Sequence, residues 1–192
     1  MPSEPGIVEV VFIQGAGAGA HDEDAVLAAS LAEHLGAGFA VRYPVMPNEE
    51  DPDGDAWRRT ISETLASGGG PAVLVGHSAG GFQLLAHLAA EEVERSVVAV
   101  CLIAVPFPGG DADWTLDGFD LPPRVAEALP TEAAVFLYAS RDDDIVPFAH
   151  RDLYAAAIPG SVTRTVAGGH QLGDDLRAVA DDIKGVMAAR RD

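Results

Sequence analysis

The stretch Pro71-Ala72-Val73-Leu74-Val75-Gly76-His77-Ser78-Ala79-Gly80 constrains this chain more than any other. Its first five residues are mostly β-prone, and a helical pattern (Phe82, Leu84, Leu85, Leu88, Ala89) begins directly after Gly80. A strand, a very sharp turn and a helix therefore follow one another with no loop between them. Gly-x-Ser-x-Gly at such a junction forces the serine into a strained conformation at the strand tip, with its hydroxyl clear of the chain. Glycines two before and two after it let strand and helix approach without Cβ clashes. The helix start also leaves the backbone N–H of Ala79 free to bind negative charge. Five residues thus supply a serine nucleophile and half of an oxyanion site. A chain with 21 glycines can hold a stray Gly-x-Ser-x-Gly, but a stray copy seldom falls at a strand-to-helix junction.

The rest of the chain alternates in the same way. Residues 7–13 form a strand, followed by Gln14-Gly15-Ala16-Gly17-Ala18-Gly19-Ala20 and a helix. Asp22 or a neighbour caps that helix, Leu27, Leu31 and Leu35 form its i, i+4 stripe, and Gly36 stops it. Phe39, Val41 and Tyr43 open a second strand, and a helix with Trp57, Ile61 and Leu65 precedes the elbow strand. Further strands are expected at 97–104, 134–139 and 161–166, with helices at 123–129, 148–157 and 174–189. The strands read as uniformly apolar, which predicts an α/β three-layer sandwich: a mostly parallel sheet of about six strands with helices on both faces. Nothing breaks the composition or repeats, so residues 1–192 are expected to form a single domain. In open sheets of this kind the site lies beyond the carboxyl ends of the strands.

Composition narrows the partners. With 48% hydrophobic residues the chain has a core to bury, while a formal charge of −18 repels nucleic acid and anionic membranes. Cys101 is the sole cysteine and sits in an apolar strand, so it reads as a core thiol and neither a disulfide partner nor a metal ligand. No signal peptide and no membrane-spanning run is seen, and the expected location is the cytoplasm.

A serine needs a base, and the base needs an orienting partner. Of six histidines, His21, His34, His77, His87 and His150 read as ordinary surface or core residues. His170 stands apart, in Val166-Ala167-Gly168-Gly169-His170 just past the last strand. The acid is sought in Ser140-Arg141-Asp142-Asp143-Asp144-Ile145-Val146-Pro147, directly after the strand at 134–139, where one aspartate is expected to face the histidine. Those three aspartates lack the glycine and glutamate of a calcium loop, and no metal or other cofactor is expected. Residues 105–122 should overhang the site, so Phe107, Trp114 and Phe119 are candidates for an acyl-pocket wall. Asp111 and Asp113 stand in reserve for the acid.

Gly76-His77-Ser78-Ala79-Gly80, Asp143-Asp144-Ile145-Val146-Pro147 and Gly168-Gly169-His170 together resemble the α/β-hydrolase superfamily in its Ser…Asp…His order, over nearly the whole chain. In that family the acid usually stands three residues before the Val of a Val-Pro pair, which selects Asp143. Ser140 stands where the family often has glycine. The second oxyanion donor comes from the loop after the first strand, where His-Gly-x is common. Gln14-Gly15-Ala16 here makes the N–H of Ala16 the matching donor. The proportions are similar to those of the small, cap-less serine hydrolases. The resemblance implies an esterase-like enzyme acting on a small-molecule acyl substrate, a carboxylic ester or thioester, through an acyl-enzyme on Ser78, with His170 as base and Asp143 as its partner.

Two other readings compete. Gly15, Gly17 and Ala20 fit Gly-x-Gly-x-x-Ala between a strand and a helix, the fingerprint of an NADP-binding Rossmann-type enzyme, with Arg42 available for a 2′-phosphate. No acidic residue ends the next strand, as that fingerprint would expect for NAD. The third reading is a non-catalytic binding protein on a hydrolase scaffold.

Overall fold

Apolar runs of six or seven residues form the middle of a sheet in the computed structural model, which describes residues 6–114, 121 and 125–190. They are β1 (Val8–Ile13), β3 (Ala72–His77), β4 (Val97–Ile103) and β5 (Ala134–Ala139), with shorter outer strands β2 (Phe39–Arg42) and β6 (Val162–Thr165). The order is β2-β1-β3-β4-β5-β6, and every neighbouring pair is parallel. The helices between them are α1 (Ala20–Leu35), α2 (Gly54–Ala66), α3 (Ala79–Ala90), α4 (Val125–Ala128), α5 (Ala149–Ala157) and α6 (Arg177–Ala189). The chain is thus an α/β three-layer sandwich, as its alternation predicted.

Side chains leave a strand to alternate faces, so each central strand feeds two cores. Val10, Phe12, Val75 and Cys101 pack with Leu27, Leu31 and Ile183 of α1 and α6. Val11, Ile13, Leu74 and Leu102 pack with Trp57, Ile61, Leu85 and Tyr154 of α2, α3 and α5. Cys101 is fully buried, and burial pushes its thiol up to about 12.

The winding decides where a site can form. The chain goes outward from β1 to β2, then returns to place β3 on the other side of β1 and continues away. Where the winding reverses, the loops after β1 and β3 diverge and leave a crevice at the carboxyl ends of the strands. Those loops carry Gly15-Ala16 and Ser78.

Three local expectations are corrected. All four residues of β6 are exposed, because this outer strand pairs only with β5. Helix α1 has no side-chain cap: Gly19 is its N-cap at φ 81, and the N–H groups of Gly19 and His21 go to Glu49 of the following loop instead of to Asp22. The last helix begins at Arg177, because Gly173 at φ 66 interrupts the turn at Leu172–Asp174. Among the described residues no helix is long and apolar enough to cross a membrane.

Gly80 lies against the end of β1, where a Cβ would overlap the carbonyl oxygens of Gln14 and Ile13. Backbone cannot yield as a flexible side chain can, so Gly80→Ala is expected to cost about 1–3 kcal/mol. In thermal unfolding that is a fall of about 2–4 °C per kcal/mol at this chain length. Gly69→Ala, where a Cβ meets nothing within 4 Å, should unfold much nearer the wild-type temperature. The buried Cys101 should resist thiol reagents in the native protein at pH 8 and react once the chain is unfolded.

Candidate active site

Ser78 ends β3 at φ 51, ψ −126, a left-handed conformation that costs a non-glycine residue about 1–3 kcal/mol. Its surroundings hold it there. The Ser78 N–H donates to the carbonyl of Ile103 at 2.8 Å, and its own carbonyl accepts from the N–H of Gly81 at 3.0 Å as α3 begins. A Cβ on Gly76 would overlap the backbone of Gly81, and one on Gly81 would overlap the side chain of Val105, so strand and helix meet this closely only where both residues lack one.

Asp143 and His170 come from the loops after β5 and β6. His170 Nδ1–H donates to Asp143 Oδ2 at 2.9 Å, while Asp143 Oδ1 accepts the N–H groups of Ile145 and Val146, both at 2.9 Å. Burial works to raise the Asp143 carboxyl. The His170 bond and the two backbone donors outweigh it and hold the group below the usual carboxylate range. Of the three adjacent aspartates only Asp143 meets the histidine; Asp142 accepts from the hydroxyl of Ser140, and Asp144 is exposed. Gly168 sits at φ 109, where a Cβ would overlap the backbone of Gly173, so this tight turn presents His170 at the rim. In a neutral imidazole, donation from Nδ1 to a carboxylate leaves Nε2 as the acceptor.

Ser78, His170, Ala16 and Ala79 all line one cavity of about 390 Å³. Trp114, one of the three candidates for a pocket wall, lines it too. Phe107 does not: its ring meets the edge of Tyr154 at 4.9 Å, turned toward α5. Phe119 lies outside the described residues. The apolar wall is completed by Phe82, Pro106 and Ile145, which the sequence reading did not single out. His150, read there as ordinary, anchors the covering segment. It is buried, its Nδ1 accepts the N–H of Phe107 at 3.0 Å, and its Nε2–H donates to Asp111 at 3.0 Å. That pairing removes Asp111 from the reserve for the acid role.

The glycine-rich loop after β1 already holds an anion, the carboxylate of Glu49. It accepts the N–H groups of Gly19 at 3.0 Å and His21 at 2.7 Å and the amide of Gln14 at 2.7 Å, and the Glu49 carbonyl takes the N–H of Gly17 at 2.7 Å. Those donors hold the Glu49 carboxyl below its usual range, the His21 N–H most of all. A dinucleotide pyrophosphate would have to displace this carboxylate from the helix start. Arg42, the proposed 2′-phosphate partner, is instead bound to Glu9 at 2.9 Å and to the carbonyl of Thr64 at 2.8 Å. Gln14 braces the same loop, since its Oε1 also accepts from His21 Nδ1 at 2.7 Å.

A second buried Asp–His contact was not foreseen. Asp24 of α1 lies 2.8 Å from Nδ1 of His77, the residue before the serine. Its signal in the sequence is a charge three residues before Leu27, on the stripe that α1 buries.

Comparison with known proteins places the chain. A serine hydrolase family model matches residues 27–175. No curated protein matches it. Among solved structures the ydeN gene product of B. subtilis is 24% identical with a TM-score of 0.73, covering 94% of this chain and 98% of that one. The CarC serine hydrolase involved in carbazole degradation is 14% identical at a TM-score of 0.69, covering 94% and 91%. Alpha/beta hydrolase domain-containing protein 10 from mouse is 20% identical at 0.61, covering 94% and 90%. At such identities the likeness is one of fold, and it is the α/β-hydrolase fold throughout. With the family model spanning most of its length, the chain belongs to the serine hydrolase family.

Proposed function

We propose that the protein is an esterase-like hydrolase that cleaves a small carboxylic ester or thioester through an acyl-enzyme on Ser78. The observation that carries this reading is the 2.9 Å bond from His170 to Asp143 at the rim of the cavity into which the strained Ser78 faces. His170 Nε2 takes the hydroxyl proton as Ser78 Oγ attacks the acyl carbon. Asp143 keeps the imidazole in the tautomer that can do so and stabilises its cationic form. The N–H groups of Ala16 and Ala79 receive the developing oxyanion, each contributing about 3 kcal/mol. The imidazolium then returns its proton to the leaving alcohol or thiol. Water, deprotonated by the same histidine, releases the acid and restores Ser78.

The cavity suggests the substrate. Its walls are mostly small or apolar, and the exposed Glu23 adds negative charge at its edge. A carboxylate-bearing acyl group is disfavoured there, whereas a short uncharged one fits a space of about 390 Å³.

A fluorophosphonate probe should add one adduct to the wild type and none to Ser78→Ala, read by intact mass. A folded wild type that takes no label would sink the proposal. Asp143→Asn should keep the fold by circular dichroism and lose about 10⁴-fold in kcat, because the wrong tautomer then dominates. Short-chain aryl esters should outpace long-chain ones in kcat/KM. NADPH should leave the thermal midpoint unchanged while Glu49 fills the loop.

A further inference from the structure

We infer that Asp24 and His77 form a buried carboxylate–imidazolium pair that positions the base, the nucleophile and the oxyanion loop relative to one another. This rests on the roles proposed above for Ser78, His170 and Ala16.

Hydrogen-bond polarity decides the protonation. His77 Nε2 lies 3.1 Å from the carbonyl oxygen of His170, and a carbonyl can only accept, so Nε2 carries a proton. Nδ1 lies 2.8 Å from Asp24 Oδ2, an oxygen that already accepts the N–H of Gly15 at 2.7 Å. Asp24 Oδ1 accepts from the side-chain amide of Gln171 at 3.2 Å. A carboxyl surrounded by donors is an ionised acceptor, so Nδ1 carries the second proton. Burial alone would raise the Asp24 carboxyl; the bond to His77 and its charge, together with the bonds from Gly15 and Gln171, outweigh that and lower it.

The pair is deeply placed, with the His77 side chain 2% and the Asp24 side chain 1% exposed. Such a pair is a poor source of net stability, because desolvation offsets most of the attraction. What it supplies is geometry. Gly15 precedes the donor Ala16, His77 precedes Ser78, and His170 and Gln171 follow β6, so one carboxylate and one ring join three loops that share no sequence. The rings of His77 and His170 lie 4.7 Å apart at 51°. Because Asp24 neutralises His77, His170 does not face a bare cation when it takes the serine proton.

The test combines long-range ¹H–¹⁵N NMR of histidine-labelled wild-type protein at neutral pH with kinetics of Asp24→Asn. Both ring nitrogens of His77 should carry protons in the wild type, while His170 shows the neutral Nδ1–H tautomer. In Asp24→Asn one His77 nitrogen should lose its proton. Fluorophosphonate labelling and kcat should then fall about 100-fold, the loss that a misplacement of roughly an ångström brings, with KM little changed. His77→Gln, which carries no charge, gives the same kinetic comparison should Asp24→Asn not fold. A singly protonated His77 in the wild type overturns the ion pair. A folded variant that labels as fast as the wild type overturns the positioning role. Wild-type protein that takes no label overturns the hydrolase roles themselves, and the NMR then still decides the pair.

Discussion

The site depends on how closely the start of α3 approaches the ends of β1 and β3. Gly80 lies against the carbonyls of Ile13 and Gln14, and Gly76 against Gly81, at separations that no Cβ permits. This contact holds Ser78 in its left-handed conformation, and it brings Ala79 to the cavity that the loop carrying Ala16 also lines. The strain is sustained because β3 is buried along all six residues and cannot shift to relieve it.

The second organising interaction is the carboxylate as an acceptor of N–H groups. The chain carries 30 acidic residues, and most of its charge serves as a solvated surface. Asp143, Asp24 and Glu49 work differently. Asp143 gathers His170 with Ile145 and Val146; Asp24 gathers Gly15, His77 and Gln171; Glu49 gathers Gly19, His21 and Gln14. Each satisfies donors that turns and a helix start would otherwise leave open, and each ties distant stretches of chain together. The glycine-rich loop looks like a phosphate cradle in sequence and is a clasp for an internal acid in the folded protein.

Much of this was legible from local pattern. A β-prone run into Gly-x-Ser-x-Gly specifies its own turn, apolar alternation specifies a covered parallel sheet, and both place Ser78 and His170 beyond strand ends. Asp143 was selected by the resemblance to the α/β-hydrolase superfamily, whose acid usually stands three residues before the Val of a Val-Pro pair. The direction taken by Phe107 was not legible. It turns onto Tyr154, a residue far along the chain, and an aromatic ring goes wherever apolar surface is offered.

The sequence by itself determined the elbow and the layered fold, since these rest on backbone sterics and periodicity within short windows, while the order of the three catalytic candidates came from the resemblance to a family. Only the tertiary structure decided which acids matter. Asp24 meets partners 53 and 147 residues away, and nothing within its own helix distinguishes it except a charge on a buried stripe. A carboxylate in so acidic a chain acquires a role from the donors that fold beside it, and those donors are brought together by the reversal of winding between β1 and β3.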